Sequence, residues 1–215
     1  MVNNVALFIY YTPSWQQLAD VVLPVAAAYC DKHGYAKVFI KHPFESSTKP
    51  IGYHKMHRLR DLMDRVEYIW VLDCDAMITG NQPVTNFISS WPYDMYFTSD
   101  VHGLNAGSWI VKSTEWSKDI IDDVLNNFDA PEEQSVIKSI IQYPSSSVCQ
   151  LPHPSINSYL YTEYMYDWDR LVGNHPMPTH EQGNWQPGDM VLHLPGVDFE
   201  RRIEIFKQVK EMLGL

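Results

Sequence analysis

Cysteine is scarce. The 215-residue chain has three, Cys30, Cys74 and Cys149, too few and too scattered for a disulfide framework or a zinc knuckle. Two of them lie in apolar runs, where buried free thiols are expected, and a reducing, cytoplasmic setting follows as an expectation. Long apolar stretches are missing as well. None approaches the roughly 20 residues that span a bilayer, and Met1 to Tyr11 lacks the basic start and small-residue cleavage site of a signal peptide. Positive charge is in short supply: 16 Lys and Arg against 26 Asp and Glu leave a formal net charge of -10. That balance argues against duplex nucleic acid or an anionic membrane as partner. A phosphorylated ligand would need a cation, or a few well-placed Lys and Arg, to hold it. A glycine-rich phosphate loop is also lacking, because Thr12-Pro13-Ser14 follows the first apolar run. This weighs against a nucleotidyltransferase or phosphohydrolase, although both also place carboxylates at strand ends. Neither internal repeats nor low-complexity tails occur, and the length suits a single domain.

What is present reads as alternating strands and helices. Val5 to Tyr11 (VALFIYY) is a strand buried on both faces. Ser14 is positioned to cap a helix running to about His33, with Gly34 as its stop and Pro24 expected to kink it or start a new turn. Ala36 to Ile40 is the second strand, so a mostly parallel sheet flanked by helices is the expected α/β architecture. A polar loop, 41–53, leads to a helix over His54 to Arg65. The strongest strand, Val66 to Asp73, ends at Asp73-Cys74-Asp75, and Ala76 to Ile78 continues after it. Val84 to Trp91 is a short helix candidate. Met95 to Thr98 and Ser108 to Val111 are strands, and Gly103 to Ser108 reads as a tight turn. Thr114 to Asn127 and Ala130 to Gln142 are helices, the second with Pro131, Glu132 and Glu133 in its first turn. Periodicity fades over 143–189, a region rich in Pro, His, Asn, Trp and Tyr. It returns in a strand at Met190 to Leu194 and a helix from Asp198 to Leu213.

The chemistry gathers at Asp73 and Asp75. A D-x-D triplet alone occurs by chance in chains of this length, but this one closes an apolar strand at its carboxyl end, where open α/β sheets bind ligands. Two carboxylates one residue apart in extended chain point to the same side and can address one cation. Carboxylate oxygens suit Mg or Mn, which bridge to phosphate oxygens; the bland alternative is a solvated turn. His193, in the apolar strand MVLHL, suits a hydrogen-bonded core histidine as well as a ligand, and as a ligand it favours Mn over Mg. Lys55, Arg58 and Arg60 could face a diphosphate, or form a solvated helix face paired with Asp61 and Asp64. Asp100 and Asn105 offer groups suited to sugar hydroxyls.

These motifs, in this order, resemble nucleotide-diphospho-sugar transferases of the GT-A fold. Within it the chain is most similar to glycosyltransferase family 34, the galactosyl/xylosyltransferases. The similarity is carried by HKMHRLRDL (54–62), EYIWVLDCDA (67–76), GLNAGSWIVKSTEW (103–116), Glu132-Glu133-Gln134 and His193-Leu194-Pro195-Gly196. The resemblance implies a nucleoside-diphosphate sugar donor, UDP-linked, and a glycan or glycoconjugate acceptor. It implies Mn2+ or Mg2+ held by Asp73, Asp75 and His193. It implies that Tyr10, Tyr11 and Thr12 seat base and ribose, that Lys55 and Arg60 approach phosphate or sugar, and that Cys74 lies within the donor-binding turn. Asp100, Asn105, Ala106 and Gly107 would bind donor hydroxyls, and Glu132, Glu133 and Gln134 would lie beside the anomeric carbon. Retention of anomeric configuration is implied too. Residues 1–115 would form the nucleotide-sugar half and 116–215 the acceptor half, with Tyr161, Trp168, Trp185 and Asp189 as acceptor candidates. Family members are typically membrane-anchored; a compact version without that segment suits a microbial or chlorovirus-type enzyme. The aromatic content of 13% keeps a lectin-like carbohydrate-binding module as the non-enzymatic alternative.

Overall fold

The uninterrupted apolar run of β1 (Val5–Tyr11) takes the centre of the fold in a computed structural model that describes residues 4–43, 49–88, 93–100, 103–127, 132–141, 145–163 and 178–215. Its neighbours are β2 (Ala36–Lys41) and β3 (Tyr68–Leu72), both parallel to it, joined through α1 (Gln16–His33) and α2 (Ile51–Leu62). Beyond β3 the chain forms β4 (Ala76–Ile78), α3 (Thr85–Ile88), β5 (Met95–Asp100), β6 (Gly103–Lys112), α4 (Glu115–Asn126) and α5 (Glu133–Ile140). It ends with β7 (Val148–Gln150), β8 (Ser158–Tyr159), β9 (Val191–His193) and α6 (Phe199–Leu213). The main sheet has the order β2-β1-β3-β6-β5-β7, in which β6 alone runs antiparallel to its neighbours. A small second sheet, β4-β9-β8, stands beside it.

Strand alternation sorts the core onto two faces. Val5, Leu7, Ile9, Trp70 and Leu72 pack with Ala19, Ala26 and Tyr29 of α1. Phe8, Ile69, Val71 and Trp109 pack with Met56 and Leu59 of α2, Ile121 and Val124 of α4, and Val136 and Ile137 of α5. The other side of α1, through Leu18, Val21, Val22 and Val25, meets Met77, Leu192 and the α6 residues Ile203, Phe206 and Val209. Helix α1 is therefore apolar on two sides and wedged between the main sheet and the α6 layer. Among the described residues, no helix is long and apolar enough to cross a membrane.

Several expectations are corrected. Helix α1 runs unbroken through Pro24, whose ring lies on its exposed side, where water can serve the carbonyl that proline leaves unpaired. Ser14 does not cap it: Ser14 sits inside a 3₁₀ turn, Pro13–Trp15, with its Oγ 2.8 Å from Thr12 Oγ1. Helix α2 starts three residues early, after Pro50. The stretch Gly103 to Ser108 is no turn but the first part of β6, accommodated by a register shift between Tyr96 and Thr98 of β5. Ala76 to Ile78 does not extend β3; it leaves the main sheet to pair with β9. The weakly periodic 143–189 region supplies β7 and β8, too short to declare themselves by pattern. Asp198 and Thr114 cap their helices with side-chain hydrogen bonds.

Candidate active site

The chain reverses just beyond β3. Asp73 N–H donates to Gly107 O at 2.8 Å and Ala76 N–H to Asp73 O at 3.1 Å, which fixes Asp73-Cys74-Asp75 as a tight turn. Antiparallel pairing of β4 with β9 places Ala76 opposite His193, and Leu194 N–H donates to Asp75 O at 2.9 Å. A histidine distant in sequence thus arrives beside both carboxylates. One ligand atom from each of Asp73, Asp75 and His193 lies within 4.8 Å of the others, and His193 Nε2 is 3.4 Å from Asp75 Oδ1. Closeness here depends on Gly107: a Cβ at that position would stand 2.2 Å from His193 Cε1. Two half-buried carboxylates and a buried imidazole at the end of a strand, open to a cleft, are a donor set that suits Mn2+ or Mg2+, with the nitrogen favouring Mn2+.

Two buried cations offset part of the charge of the three carboxylates, Asp73, Asp75 and Glu133. Lys55 on α2, only 5% exposed, reaches Asp73 Oδ1 and Glu133 Oε1, each at 2.5 Å. That approach of α2 to α5 needs Gly52, where a Cβ would meet Glu133 Oε2 at 2.3 Å. Arg202 of α6 lies 3.7 Å from Asp75 Oδ2, donates to Leu194 O at 2.9 Å and stacks on Trp15. Burial pushes the Asp73 carboxyl up to about 6, with Glu133 and Asp75 adding to the rise and Lys55 opposing it. For Asp75 burial acts upward too, but His193 and Arg202 outweigh it and hold the carboxyl below its ordinary range. Glu133 is likewise held low by Lys55 against the effect of burial.

Two hollows meet at this cluster, sharing Asp73, Asp75 and Glu133. One, about 230 Å³, is walled by Tyr10, Tyr11, Thr12, Trp15, Gly52 and Lys55. The other, about 550 Å³, is walled by Asp100, Asn105, Ala106, Gly107, Gln134, Tyr159 and His193, with Glu132 and Lys138 at its side. Cys74 contributes to the first, with its thiol buried in the core and raised by that burial. In the second, Asn105 Nδ2 donates to Asp100 Oδ2 at 2.9 Å and to Tyr159 Oη at 2.6 Å, and Tyr159 Oη donates to Asp100 Oδ2 at 2.7 Å. Ala106 N–H donates to Gln134 Oε1 at 2.8 Å, tying β6 to α5.

The sequence-derived candidates therefore converge, with exceptions. Arg60 is engaged elsewhere: its Nε donates to Asp122 of α4 at 3.0 Å and its Nη1 approaches Asp64, so it braces α2 on α4 and lines neither hollow. Trp185 donates to Thr79, Asp189 pairs with His180, and Tyr161 packs edge-on to Tyr159; none of them lines the two hollows. Trp168 lies outside the described residues. Residues that sequence reasoning missed include Trp15, Asn157, Tyr159 and Arg202. Only Arg202 carried a signal, a basic pair opening the last helix after the His-Leu-Pro-Gly run.

A sequence profile of the galactosyl transferase GMA12/MNN10 family matches residues 11–85 and 82–204. No curated protein is matched. Among solved structures, a glycosyltransferase involved in glycosylation of the major capsid of PBCV-1 gives a TM-score of 0.71 at 15% identity, covering 94% of this chain and 99% of that one. GlyE of Streptococcus pneumoniae TIGR4 gives 0.60 at 12% identity, and this chain spans 63% of it while 97% of this chain is covered. The galactosyltransferase LgtC, solved with donor and acceptor sugar analogues, gives 0.55 at 12% identity over 97% of this chain and 96% of its own. Identities this low speak for the fold alone, which is GT-A, whereas the profile spans nearly the whole chain. The chain belongs to the galactosyl transferase GMA12/MNN10 family, glycosyltransferase family 34, and is a glycosyltransferase.

Proposed function

We propose that the enzyme transfers the sugar of a UDP-linked donor to a hydroxyl of a glycan or glycoconjugate, with retention of anomeric configuration. Asp73, Asp75 and His193 would hold a divalent cation, Mn2+ in preference to Mg2+. The observation that carries this reading is the meeting of two hollows at one carboxylate–imidazole cluster. A nucleoside and a sugar joined by a diphosphate need a hollow each and a charge-neutralising point between them. When bound, the cation supplies Lewis-acid neutralisation of the departing diphosphate.

The chain's own groups do the rest. Tyr10, Tyr11 and Thr12 flank base and ribose on the 1–115 half, while the acceptor enters over the 116–215 half. Asp100, Asn105, Ala106 and Gly107 bind donor-sugar hydroxyls. Gln134, fixed through Ala106, stands beside the anomeric carbon. Glu133 is held in an ion pair by Lys55, so it supports the positive sugar face rather than attacking it. Retention follows on this reading from front-side attack assisted by the leaving phosphate; the sugar passes through an oxocarbenium-like state.

Thermal denaturation with UDP, with and without Mn2+, tests the reading. Ligand at 100 times its Kd adds about 2.7 kcal/mol, a shift of several degrees for a domain of this size. The expected shift requires both UDP and Mn2+ and is lost in Asp73→Asn. No shift with UDP, GDP or dTDP, with or without metal, would overturn the donor reading. The anomeric configuration of the product, read by NMR, tests retention.

A further inference from the structure

Behind the three proposed metal ligands runs a buried hydrogen-bond chain whose polarity is fixed at its far end. The backbone N–H of Gly107 can only donate, and it donates to Asn105 Oδ1 at 2.8 Å. On the other side of the same amide, Asn105 Nδ2 faces the Asp100 carboxylate, which accepts. Asn105 therefore has one permitted orientation: flipping it would set N–H against N–H and oxygen against carboxylate. The next amide inherits that orientation. Asn157, fully buried, places Nδ2 2.9 Å from Asn105 Oδ1 and 3.2 Å from Thr98 Oγ1, so its Oδ1 points the other way. That Oδ1 lies 2.9 Å from His193 Nδ1. An amide oxygen only accepts, so Nδ1 carries a proton. That leaves Nε2, the nitrogen that faces Asp75, as the one that can give its lone pair to a cation.

Resting on the metal reading above, we infer that Asn157 is a positioning residue that holds His193 in the one tautomer able to ligate a cation. The ring nitrogen opposite a ligating one commonly donates to a fixed acceptor, which sets its tautomer and orientation. Here the acceptor is a neutral carboxamide, itself aimed by a backbone group on β6. The donor-hydroxyl residue Asn105 and the proposed metal ligand His193 thereby share one rigid frame. Asn157 touches neither hollow, so its effect on chemistry passes through His193 and Asn105.

The test begins with nitrogen-15 NMR of the metal-free full chain at pH 8, reading which ring nitrogen of His193 carries the proton. Mn2+ is then titrated alone, and its affinity is read from paramagnetic broadening of the same resonances. Wild type is expected to carry a proton on Nδ1 before and after Mn2+ is added. Asn157→Leu, which removes the acceptor, is expected to lose the Nδ1 proton, leaving the ring protonated on Nε2, and to weaken Mn2+ binding by about 10- to 100-fold. Asn157→Asp, which keeps an acceptor oxygen, is expected to retain the Nδ1 proton and much of the affinity. A wild-type ring with no proton on Nδ1 overturns the inference without recourse to any variant. If wild type binds no Mn2+, the metal reading fails and takes this inference with it. If wild type binds Mn2+ and Asn157→Leu binds it equally well with an unchanged tautomer, the inference fails alone. Should Asn157→Leu not fold, wild type and Asn157→Asp decide, and an Nδ1 without a proton in either one is the overturning result.

Discussion

The two hollows share three acidic residues but are built by different means. The smaller, the nucleoside side of the proposed reading, is walled largely by short pieces of chain: Tyr10 to Thr12 at the end of β1, Gly52 and Lys55 on α2, and the Asp73 to Asp75 turn. The larger, the sugar side of that reading, is gathered from β5, β6, α5, β8 and β9 and stitched by side-chain hydrogen bonds among Asp100, Asn105, Asn157, Tyr159 and His193. Strand ends and one helix face can create the first. The second needs a closed polar network, in which each group is oriented by the next and loss of one member leaves another unsatisfied. A diphosphate needs charge at the right place, which a motif supplies. Telling one sugar epimer from another needs fixed donors and acceptors, which only the network supplies.

Substitutions can sharpen or break that contrast. The largest effect is expected at the junction: Asp75→Asn should lower turnover by about a thousandfold or more, the scale of several kcal/mol of lost charge stabilisation. Circular dichroism should remain unchanged, and full metal-dependent turnover would contradict the shared-junction reading. Next, Lys55→Met leaves the Asp73 and Glu133 carboxylates without their buried cation. Stability should fall by about 3–5 kcal/mol, seen as a lower denaturation midpoint.

Beside the larger hollow, His153 stacks edge-on to Tyr159 at 4.9 Å, and among the described residues neither of its ring nitrogens has a hydrogen-bond partner. Burial lowers its pKa to about 4, with Asp100 pulling upward and His193 adding to the fall. The folded protein thus resists a proton that the unfolded chain accepts near pH 6.5. Stability from this residue is complete above that pH and is lost as pH falls toward 4, by about 3 kcal/mol in all. His153→Gln should flatten that part of the stability profile; an unchanged slope would remove His153 from the network's support. A smaller effect is expected from Tyr159→Phe, which takes one hydrogen bond from Asp100. It should cost about 1–2 kcal/mol in kcat/KM and alter the ranking of donor sugars more than the affinity for UDP. Equal losses for all donors and for UDP would erase the distinction between the hollows. Smallest of all, Arg60→Ala should change stability by less than about 1 kcal/mol and leave turnover alone, because its partners Asp122 and Asp64 are exposed.

How much could be read in advance follows the same division. The order of strands and helices, the β1 core strand and the D-x-D turn were legible because each is local: apolar runs, helical spacing, a motif at a strand end. The pairing of Lys55 with Asp73 and Glu133 was half legible, since Lys55 was a candidate but Arg58 and Arg60 carried the same charge on the same helix. Choosing among them needs the packing of α2 on α5 at Gly52, which no local pattern encodes. Asn157 and Tyr159 were invisible for a related reason. Tyr159 stands on a two-residue strand and Asn157 just before it, in a region without periodicity, and their meaning comes from the pairing of that strand with β9. The misread turn at Gly103 to Ser108 has the opposite cause: two glycines suggested a bend, whereas at Gly107 the missing side chain makes room for an imidazole.

The pairing of β4 with β9 has a consequence for the life of the molecule before it is finished. A chain emerging from the ribosome can assemble the parallel core of β1, β2 and β3 early, with Asp73 and Asp75 already at its edge. It has no His193, no partner strand for β4 and no Arg202 until more than a hundred further residues have been made. Closing that long loop is slow compared with local folding. The half-made protein thus exposes paired carboxylates without the imidazole beside them. On the metal reading proposed above, a copy terminated before β9 would lack one of the three ligands.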